Sequence, residues 1–328
     1  MINSNGIDKL KKLRQLTNAW GIYQHGELDV PSPKFGYALD DQARALLVAK
    51  GFNDKNLEKI YLQFLLNAGK GDTFYHYFYD SGDGIAPDIT NLASQDALGM
   101  MVWVLMETQN TKNEAKIMIE AVLKRAESWT HLRSKAYLIL GLVNGERSSL
   151  EDKLTDEILK TYREDGDWHW FEDKLTYGNA LIPWALWKRG RIRQDKKSLE
   201  IAKKTTDFLL KIYSKDGVPM PVAHNGLDKG EANRIYYDQQ PIEAGYIVMC
   251  LEEAYMATND NYFREMAEKW WGWFWGNNIN KAKLIDDNFA CYDGLTVKTD
   301  KVNLNQGAES NICFLMAYLA VRRLGLVE

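Results

Sequence analysis

The chain has 328 residues, 45% hydrophobic and 26% charged, with a formal net charge of -4 at pH 7. That balance gives a water-facing globular chain enough apolar material for a large core. It excludes the basic footprint of a nucleic-acid binder and the polybasic patch of a lipid binder. No stretch reaches the roughly 18 uncharged apolar residues that a membrane span needs.

Three cysteines, Cys250, Cys291 and Cys313, make no CxxC or other metal-type spacing. Their odd number argues against a disulfide framework and for a reducing compartment. Residues 1–12 are polar and lack the apolar core of a signal peptide. A cytoplasmic protein without metal or cofactor is expected.

In chain order the sequence alternates two kinds of helix. Residues 7–19 are amphipathic and are followed by the nearly apolar DDQARALLVA from Asp40. Residues 54–68 are amphipathic again, with Leu57, Ile60, Tyr61, Phe64 and Leu65 on one face, and SQDALGMMVWVL follows from Ser94. Residues 113–129 precede RSKAYLILGLV from Arg133, and residues 149–162 precede YGNALIPWALW from Tyr177. Residues 197–214 precede DQQPIEAGYIVMCL from Asp238, and residues 261–275 precede NQGAESNICFLMAYLA from Asn305.

A helix that is apolar all round is a buried one, so the second kind is inner and the first outer. Asp40, Ser94, Asp238 and Asn305 are N-cap types at these starts, and Pro241 suits a first turn. Strand patterns are essentially absent. Six hairpins without a linker predict one all-α (α/α)6 toroid domain of about twelve helices over residues 1–328. An open superhelix of helical pairs is the structural alternative.

The connections leading into the inner helices are long: 21–39, 70–93, 164–176, 215–237 and 276–304. In a toroid they share one face, where binding and catalysis are expected. Only the connection 129–132 is short. Acids recur where these loops meet the helices: Asp40, Asp41, Asp96, Glu172, Asp173, Asp238, Glu243, Asp293 and Glu309. Crowded carboxylates push one another's pKa values apart, which prepares one as an acid and another as a base. The stretch EDGDWHWFEDKLT adds Trp168, His169, Trp170 and Phe171. Aromatic faces stack on the C–H faces of sugar rings, while acids and amides bind the hydroxyls. The amides at hand are Gln42, Gln95, Asn179, Gln239, Gln240, Asn305 and Gln306. Arg44 lies one turn after Asp40 and Asp41 and pairs with them in the simplest reading.

GYALDDQARALLVA, WFEDKLTYGNALIPWAL, YDQQPIEAGYIVM and CYDGLTVKTDKVNLNQGAES resemble a bacterial family of six-hairpin, glycoside-hydrolase-like proteins. Its members stand alone or are fused to glycosyltransferases. The resemblance spans residues 36–320, with WFED and NQGAES its most specific blocks. It implies an (α/α)6 toroid, a carbohydrate ligand and association with a glycosyltransferase. Gln42, Gly178 and Gln95 stand where relatives are expected to carry Asn, Asp and Glu, which shifts weight from position 95 to Asp96.

The expected activity is that of an inverting glycoside hydrolase acting on an oligosaccharide. Glu172 or Asp173 is the expected general acid, and Asp238 or Glu309 the group that activates water. Asp41, Asp96 and Asp293 would hold hydroxyls, with Trp168, Trp170 and Tyr292 as stacking platforms. His169, Tyr177, Asn179, Tyr237, Gln239, Asn305 and Gln306 complete the expected binding set. The first alternative is a sugar 2-epimerase using His76, His169 and His224 as proton carriers. The second is a glycan-binding or accessory protein without catalysis.

Overall fold

The structure, a computed structural model, describes residues 7–109, 112–231, 234–297 and 301–328. Residues 1–6 of the polar N-terminal segment, and parts of the expected loops 215–237 and 276–304, lie outside the described residues. The backbone forms two compact units, Leu13–Lys160 and Thr161–Glu328, the latter including the N-terminal residues up to Lys12.

The first unit opens within α1 (Lys11–Leu16) and holds α2 (Leu39–Gly51), α3 (Lys55–Asn67), α4 (Gln95–Glu107), α5 (Asn113–Ala126), α6 (Leu132–Leu142) and nearly all of α7 (Ser149–Thr161). Helix α4 packs between α2 and α6, while α3 lies on α2 and α5 on α4. Every residue of α4 from Ala97 to Leu105 is buried, whereas α5 buries only Ala115, Met118, Val122 and Ala126. The α4–α6 approach depends on Gly99, where a Cβ would sit 2.8 Å from the Ser134 carbonyl.

The second unit holds α8 (Leu181–Arg193), α9 (Lys196–Ile212), α10 (Pro241–Thr258), α11 (Asn261–Trp271) and α12 (Ala308–Arg323). Here α10 packs between α8 and α12, α9 lies on α8, and α11 lies on α10 and α12. The ring of Trp271 on α11 stacks on Phe314 of α12 with centroids 5.2 Å apart. Both units therefore repeat the expected pairing of a buried helix with a one-sided one. Among the described residues, no helix is long and apolar enough to cross a membrane.

Local details differ from expectation. Ser94 caps α4, its hydroxyl accepting from the Ala97 N–H at 3.1 Å. Asp40 lies inside α2, whose cap position is Ala38, while Asp238 and Asn305 precede the cap positions Gln240 and Gly307 by two residues. Pro241 takes the first turn of α10. Helix α8 starts at Leu181, four residues beyond Tyr177. Strands are present in the connections, each two to four residues long, too short to print a period-two pattern of their own.

Candidate functional site

In the second unit the connection before α8 folds into a hairpin, Arg163–Asp165 against Trp168–Trp170. Alternation along the strand turns Trp168 and Trp170 inward and leaves His169 half-buried. Trp170 is 1% exposed and packs on Phe171 and Phe208, so it is a core residue and not a stacking platform. Trp168 is 9% exposed, packs edge-on against Phe208, and its indole N–H donates to the Glu172 carbonyl at 2.8 Å. Its expected platform role is corrected likewise, to that of a tether for Glu172. The His169 Nε2 lies 3.0 Å from the Gly166 carbonyl within the same hairpin.

Glu172 is half-buried. Asp173 is 67% exposed at its side chain and lies 3.3 Å from Arg163 and 3.9 Å from Lys229. Of the two expected general acids, Glu172 is therefore the less exposed. Tyr177 is 48% exposed at the start of the α8 turn. Asn179 is buried, bonding the Thr176 backbone from both ends of its amide and the Tyr213 hydroxyl at 2.8 Å. Its hydrogen bonds go to the protein, so it is corrected from ligand reader to turn former.

The connection before α10 lies beside the one before α8. Lys174–Leu175 pairs antiparallel with Leu227–Asp228, and the Lys229 N–H donates to the Asp173 carbonyl at 2.8 Å. Asp238 is exposed, its backbone tied to His224 by two hydrogen bonds, one of them from the Asp238 N–H to His224 Nδ1 at 3.2 Å. Gln239 is fully buried, donating to the Tyr236 carbonyl and accepting from the Trp273 indole. It too is corrected from reader to packing residue. Tyr237 is half-buried and donates to Asn280, and burial holds its phenol above the ordinary range.

The connection before α12 is joined to that before α10 by reciprocal backbone bonds between Gln239 and Leu295, at 3.0 and 2.9 Å. Asp293 caps α12, accepting from the Gly307 N–H and the Ser310 hydroxyl, each at 2.8 Å. Gln306 is buried against Asp286, which corrects its expected contact with a ligand. Tyr292, Asn305 and Glu309 are half-buried, Glu309 in the first turn of α12.

The carboxylate at the start of α10 that selection from sequence passed over is Glu243. It is 3% exposed and accepts from the Gly178 N–H, from Tyr213 Oη at 2.8 Å and from Asn179. Burial pushes its carboxyl above the ordinary range, against the pull of those donors. Pro241 two residues before it was the available signal, since it fixes position 243 in the first helical turn.

In the first unit the connections before α2 and α4 meet in the sheet formed by Tyr37–Ala38, Tyr77–Asp80 and Ile85–Pro87. Asp41 is 3% exposed and pairs with buried Arg44 at 3.0 Å, so its expected hydroxyl contact is corrected to an internal ion pair. Asp40, beside it, stays partly open and contacts Arg44 at 3.2 Å and His76 at 3.5 Å. Asp96 is partly open, accepts from the Ser134 hydroxyl and lies 3.8 Å from Arg133.

No protein-family model matches the chain, and no curated protein matches it in sequence. Solved structures do match. A cellobiose 2-epimerase from Bacillus thermoamylovorans superposes with a TM-score of 0.67 at 15% identity, covering 94% of this chain and 95% of its own. An unsaturated glucuronyl hydrolase specific for heparin gives 0.63 at 12% identity, covering 97% and 95%. A cellulase from C. cellulolyticum in complex with cellobiose gives 0.59 at 10% identity, covering 98% and 90%. These likenesses show the fold: the chain is all-α, of the six-hairpin (α/α)6 toroid class.

Proposed function

We propose that the chain is a carbohydrate-active enzyme that hydrolyses a glycosidic bond of an oligosaccharide. The observation that carries this is the hydrogen-bonded lacing of the second unit. The segments bearing Glu172, Asp238 and Glu309 are tied in series by 174–175 to 227–228, by Gln239 to Leu295, and by Asp293 to Gly307. Carboxyls held on tied segments at inner-helix starts fit the acid and base of glycoside hydrolysis. Glu172, half-buried and tethered through Trp168, is the proposed proton donor, and Asp238 or Glu309 the group that activates water. The matched structures, which include proteins titled as hydrolase and cellulase, add support.

The test is turnover of a panel of 4-nitrophenyl glycosides and oligosaccharides by the wild type, E172Q, D238N and E309Q. Loss of an essential proton-transfer group is expected to lower kcat by about 10²–10⁴-fold. Full activity in all three variants overturns the assignment. Anomeric NMR of the first product reads inversion directly.

A sugar epimerase reading draws on the Asp40–His76 contact and on the matched epimerase. It has less support, because His169 and His224 both bond backbone groups of their own loops. Incorporation of deuterium from solvent into an unhydrolysed sugar would favour it. A single domain over residues 1–328 is part of the proposal, supported by matches that each span 94% or more of the chain. So is a cytoplasmic location, for which the burial of all three cysteines speaks. Association with a glycosyltransferase rests on the sequence resemblance.

A further inference from the structure

The start of α2 carries a second constellation that the hydrolytic assignment does not use. Asp40 Oδ1 lies 3.5 Å from His76 Nε2, with the two side chains 26% and 17% exposed. The backbone fixes the pair: the Leu39 N–H donates to the His76 carbonyl at 2.9 Å, and Ala38 pairs with Tyr77. The Tyr77 ring packs on the imidazole, centroids 4.3 Å apart.

A carboxylate only accepts hydrogen bonds, so the ring nitrogen facing it carries the hydrogen. A neutral imidazole held this way keeps Nδ1 as an acceptor, and among the described residues nothing donates to it. Arg44, the cation beside the pair, is buried and turned onto Asp41 at 3.0 Å and Asp40 at 3.2 Å. The open groups are therefore acceptors, and the neighbouring positive charge is engaged inside the fold.

We propose that Asp40 and His76 form a hydroxyl-reading subsite for a neutral sugar. Asp40 accepts one ligand hydroxyl and His76 Nδ1 a second, while the two adjacent carboxylates, Asp40 and Asp41, disfavour uronates and sulfated sugars. The subsite rests on the carbohydrate reading above and narrows it to uncharged substrates.

The test uses the full chain. Thermal stabilisation is measured with glucose, mannose and cellobiose, and with glucuronate as the acidic counterpart. Each stabilising sugar is titrated calorimetrically into the wild type, Asp40→Asn and His76→Gln. Carbethoxylation of His76 and His131 is followed by peptide mass spectrometry with and without that sugar. Neutral sugars are expected to bind, about tenfold more weakly to each variant, and to slow modification of His76 but not His131. A sugar that binds all three proteins equally, or leaves His76 modification unchanged, overturns the subsite and spares the carbohydrate reading. Preference for glucuronate also overturns it. If no sugar binds and no glycoside is cleaved, the carbohydrate reading fails and the subsite falls with it.

Discussion

Tyr213 donates its hydroxyl to Glu243 at 2.8 Å, and both side chains are buried between the α8 turn and α10. The Gly178 N–H donates to the same carboxyl, so Glu243 holds the turn that presents Tyr177. Glu243→Gln replaces one acceptor oxygen by an NH₂ facing donors, and is expected to cost about 1–3 kcal/mol, read by denaturant unfolding. Burial raises the folded-state pKa of Glu243 above 4.5, so in that window the folded state holds more protons than the unfolded one. The group's contribution is complete below 4.5 and declines as pH rises through the folded pKa. The stability gap between wild type and E243Q should accordingly narrow from acid toward neutral pH. A gap that widens would contradict this account.

Arg44 is 1% exposed and pairs with Asp41 at 3.0 Å. Removing one partner of a buried ion pair strands the other, so Arg44→Met is expected to cost about 3–5 kcal/mol in chemical denaturation. Equal stability of wild type and Arg44→Met would mean that Asp41 finds other compensation.

Asp40 behaves differently because it is partly open. Burial raises its pKa, but His76 and Arg44 outweigh that and bring it from 3.8 down to about 2. Its stabilisation is present above 3.8 and lost as pH falls toward about 2. The melting temperature of Asp40→Asn should therefore vary less than that of the wild type across this window. Parallel acid limbs for the two proteins would refute the pairing.

How far these features were legible depends on the length over which each is encoded. The inner helices were readable because burial on all sides writes ten or more apolar residues in a row, as in α4 and α12. Of their expected caps only Ser94 holds, since Asp40 lies inside its helix and Asp238 and Asn305 precede theirs by two residues. The aromatic loop misled for a related reason. Trp168, His169 and Trp170 alternate in, out and in along a three-residue strand, so the aromatics that looked available for a sugar are core. Asn179 and Gln239 were legible as amides, but their partners are distant in sequence: Asn179 donates to the Tyr213 hydroxyl and Gln239 accepts from the Trp273 indole.

The Trp168 tether gives a discriminating variant. Trp168→Phe keeps an aromatic ring but deletes the N–H that bonds the Glu172 carbonyl at 2.8 Å. A loss of about 0.5–1.5 kcal/mol in stability is expected. If Glu172 is the proton donor, kcat should fall more than KM rises. Trp170→Ala, by contrast, opens a cavity in the core and should cost about 3–5 kcal/mol. Weakened sugar binding by Trp170→Phe with unchanged stability would restore Trp170 as a platform.

Gly294 stands where the segments before α10 and α12 join. Its φ is 141°, and a Cβ there would sit 2.2 Å from the Gln239 carbonyl, which accepts from the Leu295 N–H at 2.9 Å. Gly294→Ala must push the two segments apart or strain the backbone, at a cost of about 1–3 kcal/mol. Gly166 is the control: its φ is also positive, but a Cβ would meet nothing within 4 Å. Gly166→Ala pays only the left-handed strain, about 1 kcal/mol. Because Asp238 adjoins Gln239, the displaced carbonyl at position 239 carries Asp238 with it. Turnover should therefore drop in Gly294→Ala and hold in Gly166→Ala when both are assayed well below their melting temperatures. Equal turnover in the two variants would mean that the Gln239–Leu295 bridge does not position Asp238, and the water-activating role would pass to Glu309.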